Sequence, residues 1–293
     1  MYKIKKSLGS HVFDCCNYTF MVILCICMIY PVFYLLMLSI ASPELPLTAG
    51  YVIPPKVTSR TYIEVLKNKY IISGFFNTIA RTVLGTFLSV IATILTAYPL
   101  SKKTFPNRGM WTALIVFTMF FSGGLIPNYL LIKSLRIDDS IWVLVLPGLI
   151  STYNMLIARN FFMGIPEEMC ESAYIDGATD FRILFQIIVP ISLPIIATLT
   201  LWIAVAHWNA WFDSMIYIKE SKSQVLQVVL RRIVLEGTEE MMNLNMQVDE
   251  DLAPNPETLK AATTIVAIIP IVMVYPFIQK YFVKGVMIGS LKG

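Results

Sequence analysis

Six long apolar runs alternate with polar segments along the chain. The runs lie at about 18–40, 74–98, 110–132, 141–162, 185–208 and 261–282. A helix of about 20 apolar residues spans the hydrocarbon core of a membrane, which is roughly 30 Å thick. The pattern therefore predicts an all-α membrane protein with six transmembrane helices, and 18–283 as its membrane domain.

The second predicted span differs from the others because polar side chains recur along it every three or four residues. They are Asn77, Thr78, Arg81, Thr82, Thr86, Ser89, Thr93 and Thr96. This spacing places them in one stripe on a helix. Since small and hydroxyl-bearing residues favour helix packing over lipid contact, we expect this span to lie inside the bundle.

Glycine and proline interrupt two of the other runs. Gly123, Gly124 and Pro127 fall in the third run, while Pro147 and Gly148 fall in the fourth. A broken helix at membrane depth is tolerated where neighbouring helices or water satisfy the freed backbone groups. The third predicted span is therefore expected to be kinked or broken.

The composition supports a membrane protein. Of the 293 residues, 56% are hydrophobic and only 14% are charged, whereas about 25% are charged in soluble domains. A net charge of +4, without a basic stripe interleaved with aromatics, does not suggest a nucleic-acid partner. The five cysteines match neither a disulfide framework nor a zinc site.

The amino terminus resembles a signal peptide, but its apolar run is too long. Lys3, Lys5 and Lys6 precede this run, which exceeds the 7–15 apolar residues of a signal peptide. It is therefore predicted to be a retained first span. Lysines beside the span ends favour a multi-pass cell-membrane protein with cytoplasmic termini, at 1–17 and 284–293.

The polar segment between the fourth and fifth runs predicts two helices joined by a glycine. Pro166 suits the first position of a helix. Gly177 permits a left-handed turn without steric penalty. Thr179 or Asp180 can cap a second helix that begins at Phe181. The segment is therefore expected to project from the membrane as a helix, a glycine turn and a helix.

The same segment resembles the EAA loop of ABC importer permeases. Residues 171–177 read Glu-Ser-Ala-Tyr-Ile-Asp-Gly, and after nine further residues 187–190 read Ile-Ile-Val-Pro. The family pattern is Glu-Ala-Ala, three residues, Gly, nine residues, Ile-x-Leu-Pro. Ser172 and Val189 depart from it, but the spacing is kept. The resemblance implies the fold of a type I ABC importer permease, with its coupling loop at 164–190.

In that family the loop docks in a cleft of a cytoplasmic ATPase subunit and receives the motion driven by ATP. The resemblance implies two ATP-binding subunits, a second six-span permease and an extracellular or periplasmic solute-binding protein as partners. It also implies that this chain is a non-catalytic subunit without a cofactor. The residues it assigns to ATPase coupling are Glu168, Glu171, Ala173, Asp176, Gly177, Ala178, Phe181, Arg182 and Pro190.

Two further stretches resemble the maltose-type carbohydrate class of these permeases, especially those for oligosaccharides and polysaccharides. They are 121–127, Phe-Ser-Gly-Gly-Leu-Ile-Pro, and the tail from 281 to 290. The resemblance implies an oligosaccharide substrate. It also implies that 284–293 contacts the ATPase, the alternative being a frayed terminus.

A long segment, 209–260, is predicted to form an external loop. It is acidic and lacks Lys and Arg from 234 to 258. By the same resemblance, it would reach into the solute-binding protein and help release its sugar. The alternative is an ordinary solvated face.

Nothing in the sequence predicts an enzyme. It contains no Walker loop, and His11 and His207 form no metal-binding pattern. Intramembrane polar residues are functional candidates, so Asn77, Asn154 and His207 are candidates for a substrate pathway. The alternatives are helix-packing contacts and, for His207, a place in an interfacial belt.

A different class of transporter is the main alternative. An ion-coupled secondary transporter of a small polar solute would share the many apolar spans. Such proteins carry acidic residues at membrane depth, but none of the predicted spans contains Asp or Glu. The pattern therefore favours the ATP-driven importer.

Overall fold

Helices dominate the computed structural model, which describes residues 8–42, 52–236 and 256–290. The helices are α1 (Leu8–Ser39), α2 (Arg60–Lys67), α3 (Lys69–Ser101), α4 (Arg108–Phe120), α5 (Leu125–Ser134), α6 (Thr152–Met163), α7 (Glu168–Ile175), α8 (Asp180–Ile191), α9 (Leu193–Asn209), α10 (Phe212–Tyr217), α11 (Leu226–Glu236) and α12 (Pro256–Ser290). Within α8, Leu184–Ile188 forms a π-helical turn. No β-strand occurs in these described ranges, in agreement with the predicted all-α class.

Three described helices are long and apolar enough to cross a membrane. They are α1, α3 and the Pro256–Val274 part of α12. Two further pairs of helices are bent, α4 with α5 by 111° and α8 with α9 by 85°. Counting each pair as one span gives up to five, so the predicted number of six is not confirmed.

The third predicted span is broken where its glycines lie. Helix α4 ends at Phe120 and α5 begins at Leu125. Gly124 has a φ angle of 84°, a conformation that glycine adopts readily because it lacks a Cβ atom. The predicted break is therefore confirmed.

The fourth predicted span is not one continuous helix. Only a single turn, Ile141–Leu144, and the 12-residue helix α6 are helical there. A helix of 12 residues is about 18 Å long, which is shorter than the hydrocarbon core. Pro147 lies in the non-helical stretch, and Ser151 caps α6 by accepting a hydrogen bond from the Asn154 backbone N–H. These local signals outweighed the apolar run.

The chain divides into two compact units, one formed by 1–68 with 232–268 and the other by 69–231 with 269–293. In the first unit, the hydroxyls of Ser39 and Tyr62 are 2.7 Å apart and link the end of α1 to α2. The candidate span in α1 has none of its residues buried. This exposure of apolar side chains is expected of a lipid-facing helix.

The second unit is built around α3, which packs against α6 and α9. Its buried polar residues are Thr78, Arg81, Thr86, Ser89 and Thr93. They all belong to the polar stripe of the second predicted span, so the prediction that this stripe lies inside the bundle is confirmed. The same burial draws the stripe into the candidate sites described below.

The main core of this unit joins α3, α6, α8 and α9. Its largest members include Tyr98 and Leu100 of α3, Met155 and Phe162 of α6, Ile183, Leu184 and Ile188 of α8, and Leu199 of α9. A second cluster contains Ile132, Val143, Leu144, Ile218, Val225 and Val228. The first cluster matters most for function because it also holds Cys170 of α7.

Candidate functional site

The segment 164–190, which we call the elbow, has the helix, glycine turn and helix that the sequence predicts. Gly177 follows α7 with a φ angle of 76°. Its N–H donates to the Tyr174 carbonyl over 3.0 Å, and the Ala178 N–H donates to the Ala173 carbonyl over 2.9 Å. This pair of bonds is the Schellman motif that ends many helices. The predicted role of Gly177 in the turn is therefore confirmed.

The two helix starts differ slightly from the prediction. Helix α7 begins at Glu168 rather than at Pro166, and Glu167 precedes it as the N-cap. Thr179 stands at the N-cap of α8 but its side chain makes no capping hydrogen bond. Instead, the side chain of Asp180 is engaged by a residue of the preceding helix.

A hydrogen bond closes the elbow across its turn. The Tyr174 hydroxyl donates to the Asp180 carboxylate over 2.5 Å. Partial burial, and then this bond, raise the pKa of Tyr174 above its ordinary value. The phenol therefore stays protonated near neutral pH and keeps donating to Asp180.

The elbow is anchored to the membrane domain by its buried side chains. Cys170 of α7 and Ile183 and Leu184 of α8 are buried in the main core, together with Tyr98 of α3 and Phe162 of α6. A displacement of the elbow must therefore also displace α3 and α6, since close-packed cores transmit strain.

The outer face of the elbow is apolar although nothing covers it in this chain. The exposed fraction is 86% for Ile175 and 68% for Phe181. Large exposed apolar side chains that cluster commonly mark an interaction surface. Sequence reasoning did not assign Ile175 to coupling; its place directly before the turn was the available signal.

The residues that the resemblance assigned to ATPase coupling divide into two groups. Those whose side chains or backbones are exposed on the elbow are Glu168, Glu171, Asp176, Gly177, Phe181, Arg182 and Pro190. Ala173 and Ala178 are half-buried and pack against the main core. These two alanines lie at the base of the elbow rather than on its outer face.

A second candidate site is a cavity of about 310 Å³ in the second unit, which we call the Arg81 cavity. Its polar lining comprises Arg81, Ser89, Ser151, Asn154, His207, Asp213 and Tyr217. Two of the predicted pathway residues, Asn154 and His207, thus line one cavity. Asn77 is not part of this lining, and its amide donates to the Lys222 and Gln224 carbonyls over 2.8 and 3.1 Å.

An ion pair that the sequence analysis did not predict lies at the wall of this cavity. The Arg81 guanidinium donates to both carboxylate oxygens of Asp213, and to the Ala210 carbonyl over 3.0 Å. Asp213 also accepts the Ser214 backbone N–H over 2.9 Å. A lone arginine within an apolar run requires a partner, so Arg81 itself was the signal that could have led to Asp213.

Two buried polar atoms at the cavity have no hydrogen-bond partner among the described residues. They are Nε of Arg81 and Oγ of Ser89. Buried polar groups in folded proteins almost always have a partner, whether protein, water or ligand. The cavity is therefore equipped to hold a polar guest.

Close packing places the His207 ring at the same cavity. A Cβ atom added to Gly85 of α3 would lie 2.6 Å from ring atoms of His207 on α9. Glycine at this position allows α3 and α9 to approach with the imidazole between them.

Comparison with known proteins decides the family, although no family model matches the chain. The polygalacturonan/rhamnogalacturonan transport system permease protein YtcP of Bacillus subtilis is 36% identical over 98% of this chain and 100% of the relative. In a crystal structure of a bacterial ABC transporter that imports the acidic polysaccharide alginate, one chain superposes with a TM-score of 0.85 at 29% identity. The match covers 96% of this chain and 100% of that one. This chain belongs to the carbohydrate permeases of ABC importers.

A further relative agrees with this family. Protein LplC of Bacillus subtilis is 35% identical to this carbohydrate permease, over 100% of the chain and 99% of the relative. The resemblance stated from the elbow motif is confirmed, as is the fold class of an ABC importer permease. The chain is thus a transport subunit of the membrane, and the ion-coupled alternative finds no support among these relatives.

Proposed function

We propose that this permease moves an oligosaccharide or a polysaccharide fragment across the cell membrane, driven by two cytoplasmic ATP-binding subunits that dock on the elbow. Relatives named for polygalacturonan/rhamnogalacturonan and alginate transport support a polysaccharide-derived substrate. In this arrangement both termini lie in the cytoplasm, on the side of the elbow.

The observation that carries the proposal is the contrast between the two faces of the elbow. Its base is packed into the main core, while Ile175 and Phe181 project from its outer face. Acidic residues surround these apolar side chains, among them Glu168, Glu171 and Asp176. We expect the partner ATPase to offer an apolar cleft with a basic rim, because interfaces are complementary in charge.

The fold offers a route from the elbow to the substrate cavity. Helix α3 contributes Tyr98 to the main core and Arg81 to the cavity. The 17 residues between these two positions correspond to about 26 Å of helix. A rigid helix of this length would carry movement of the elbow to the cavity without any local rearrangement.

Further partners complete the proposed importer. A second six-span permease would form the other half of the pathway, and an extracellular or periplasmic solute-binding protein would deliver the sugar. The acidic part of the predicted external loop, 209–260, is the proposed contact for that protein, but 237–255 lie outside the described residues. The proposed contact of the 284–293 tail with the ATPase also falls largely on side chains that are not described.

Substitution of Gly177 tests the coupling role. Proline cannot adopt a φ angle near 76° and has no N–H to donate to Tyr174. Asparagine tolerates this conformation and is the matched control. The complete importer would be placed in proteoliposomes, and ATP hydrolysis and uptake of labelled oligosaccharide would be measured together.

For Gly177→Pro we expect the sugar imported per ATP hydrolysed to fall about fivefold or more, the lower range of coupling free energies between sites. Gly177→Asn should stay close to wild type. Normal coupling in the proline variant, with the ATPase still bound, would contradict the proposal.

A further inference from the structure

We propose that the Arg81 cavity binds one uncharged sugar ring of the transported oligosaccharide, so that this subunit takes part in substrate selection. The inference rests on the proposed transport function. It adds a binding site within this chain and the charge of the sugar unit that the site accepts.

The two walls of the cavity match the two surfaces of a sugar ring. Val143, Leu144 and Ile203 supply an apolar wall, while Ser89 and Asn154 supply polar groups. A pyranose ring likewise has C–H groups on its faces and hydroxyls around its edge. The volume of about 310 Å³ lies at the lower end of the usual range for small-molecule sites, about 300–1,000 Å³, which suits one ring rather than several.

The unpartnered polar atoms fit hydroxyl groups. Arg81 is 3% exposed, and its Nε–H can only donate a hydrogen bond. The buried Ser89 hydroxyl can donate or accept. A sugar hydroxyl also does both, so adjacent hydroxyls on one ring can satisfy the two atoms together. Satisfying groups that are already buried favours binding, because their desolvation has already occurred.

The charge pattern favours an uncharged ring over a uronate. The ionisable side chains at the cavity are Arg81, Asp213, His207 and Tyr217. Asp213 accepts from both terminal nitrogens of the guanidinium and so compensates its charge. A uronate carboxylate beside Arg81 would also lie beside Asp213, and like charges at this separation repel. Charged units of an acidic oligosaccharide are therefore expected outside this cavity.

The first test removes one hydroxyl from the cavity wall. Ser89→Ala is compared with Thr96→Ala, which removes a hydroxyl from the same helix where Thr96 bonds only to the Ala92 carbonyl. Proteoliposomes with the complete importer would be assayed with galactotriose, which is neutral, and with trigalacturonate. Loss of one hydrogen bond should raise the half-saturating concentration of galactotriose about threefold to tenfold in Ser89→Ala. Thr96→Ala should match wild type, and equal behaviour of the two variants would overturn the proposal.

The second test changes the charge of the site. Asp213→Asn leaves Arg81 with an uncompensated charge, so uptake of trigalacturonate relative to galactotriose should rise about tenfold, as expected for a favourable charge pair. The double variant Arg81→Gln/Asp213→Asn has no charge to offer and should show no such rise. Membrane yield and assembly with the partner subunits establish that each variant folds.

The outcomes separate this inference from the proposed function. An unchanged preference between the two sugars in Asp213→Asn would overturn the sugar site while leaving transport and its coupling in place. A failure of the coupling proposal would instead appear as normal uptake of both sugars in the Gly177→Pro importer.

Discussion

Arg81 and Asp213 are joined by a two-pronged ion pair although 132 residues separate them in the sequence. Arg81 is 3% exposed and lies within the apolar helix α3, while Asp213 lies in the first turn of α10. The pair ties a membrane-spanning helix to the segment that follows α9. Because a buried arginine is costly without a counter-charge, the two residues depend on each other.

This dependence predicts a specific double-mutant result. Asp213→Ala leaves the guanidinium buried and unpaired, which should destabilise the second unit by on the order of 3 kcal/mol. Arg81→Met/Asp213→Ala removes both charges and should recover part of this loss. The measurement is thermal denaturation of the purified importer in detergent; equal melting temperatures for the single and double variants would contradict the prediction.

The parts of the fold that local sequence determines could be predicted. The turn of the elbow depends on the backbone of one glycine, Gly177, whose φ angle of 76° few other residues adopt. The break between α4 and α5 likewise follows from adjacent glycines. Such features need no knowledge of distant contacts.

Features that depend on tertiary contacts could not be predicted. The partner of Arg81 was one of many acidic residues outside the apolar runs, and only the packed structure selects Asp213. The fourth span failed for another reason. Its apolar run had the right length, but Pro147 and the capping residue Ser151 confine the helix to Thr152–Met163.

Ile175 is expected to be a main contact with the ATPase. It is 86% exposed, so Ile175→Glu should leave the permease folded while placing a charge in the proposed apolar cleft. Loss of a central apolar anchor often costs about 2 kcal/mol or more, or roughly a 30-fold loss of affinity. The measurement is the amount of ATPase that co-purifies with the tagged permease.

Val57→Glu is the control for this experiment. Val57 is 67% exposed and lies outside the elbow, so the same substitution there should leave ATPase recovery unchanged. Normal recovery with Ile175→Glu would remove this residue from the proposed interface.

Asp138 is expected to make stability depend on pH in the acidic range. Its carboxylate accepts a hydrogen bond from Lys133 Nζ over 2.5 Å, and Lys219 Nζ lies 4.0 Å away. The bond from Lys133 holds the pKa of Asp138 below its ordinary value. Stability from this group is therefore fully present above the unfolded pKa of about 3.9 and is lost as the pH falls through the folded pKa.

The test compares wild type with Asp138→Asn in thermal denaturation as the pH is lowered. The variant should melt at a lower temperature near pH 7, and the difference should shrink as the pH falls below about 4. A difference that stays constant through this range would exclude the carboxylate as its cause.

The acidic external segment is expected to serve delivery of the sugar. Deletion of residues 239–251 should impair uptake while leaving membrane insertion and ATPase binding intact, because the segment is proposed to contact only the solute-binding protein. Replacement with a Gly/Ser segment of equal length keeps the connection and is the control for loop length. Unchanged uptake in both variants, measured with the solute-binding protein present, would refute this role.

Gly85 and His207 should behave as a coupled pair. Alanine ordinarily favours a helix over glycine by about 1 kcal/mol, yet here its Cβ atom would lie 2.6 Å from the His207 ring. Overpacking of this kind typically costs about 1–3 kcal/mol, so Gly85→Ala should lower the melting temperature. Gly109→Ala, in α4 with no atom within 4 Å of the added Cβ, is the control and should be neutral or stabilising. Because the ring causes the clash, His207→Ala should restore the stability of Gly85→Ala, and a double variant that melts below both single variants would contradict this account.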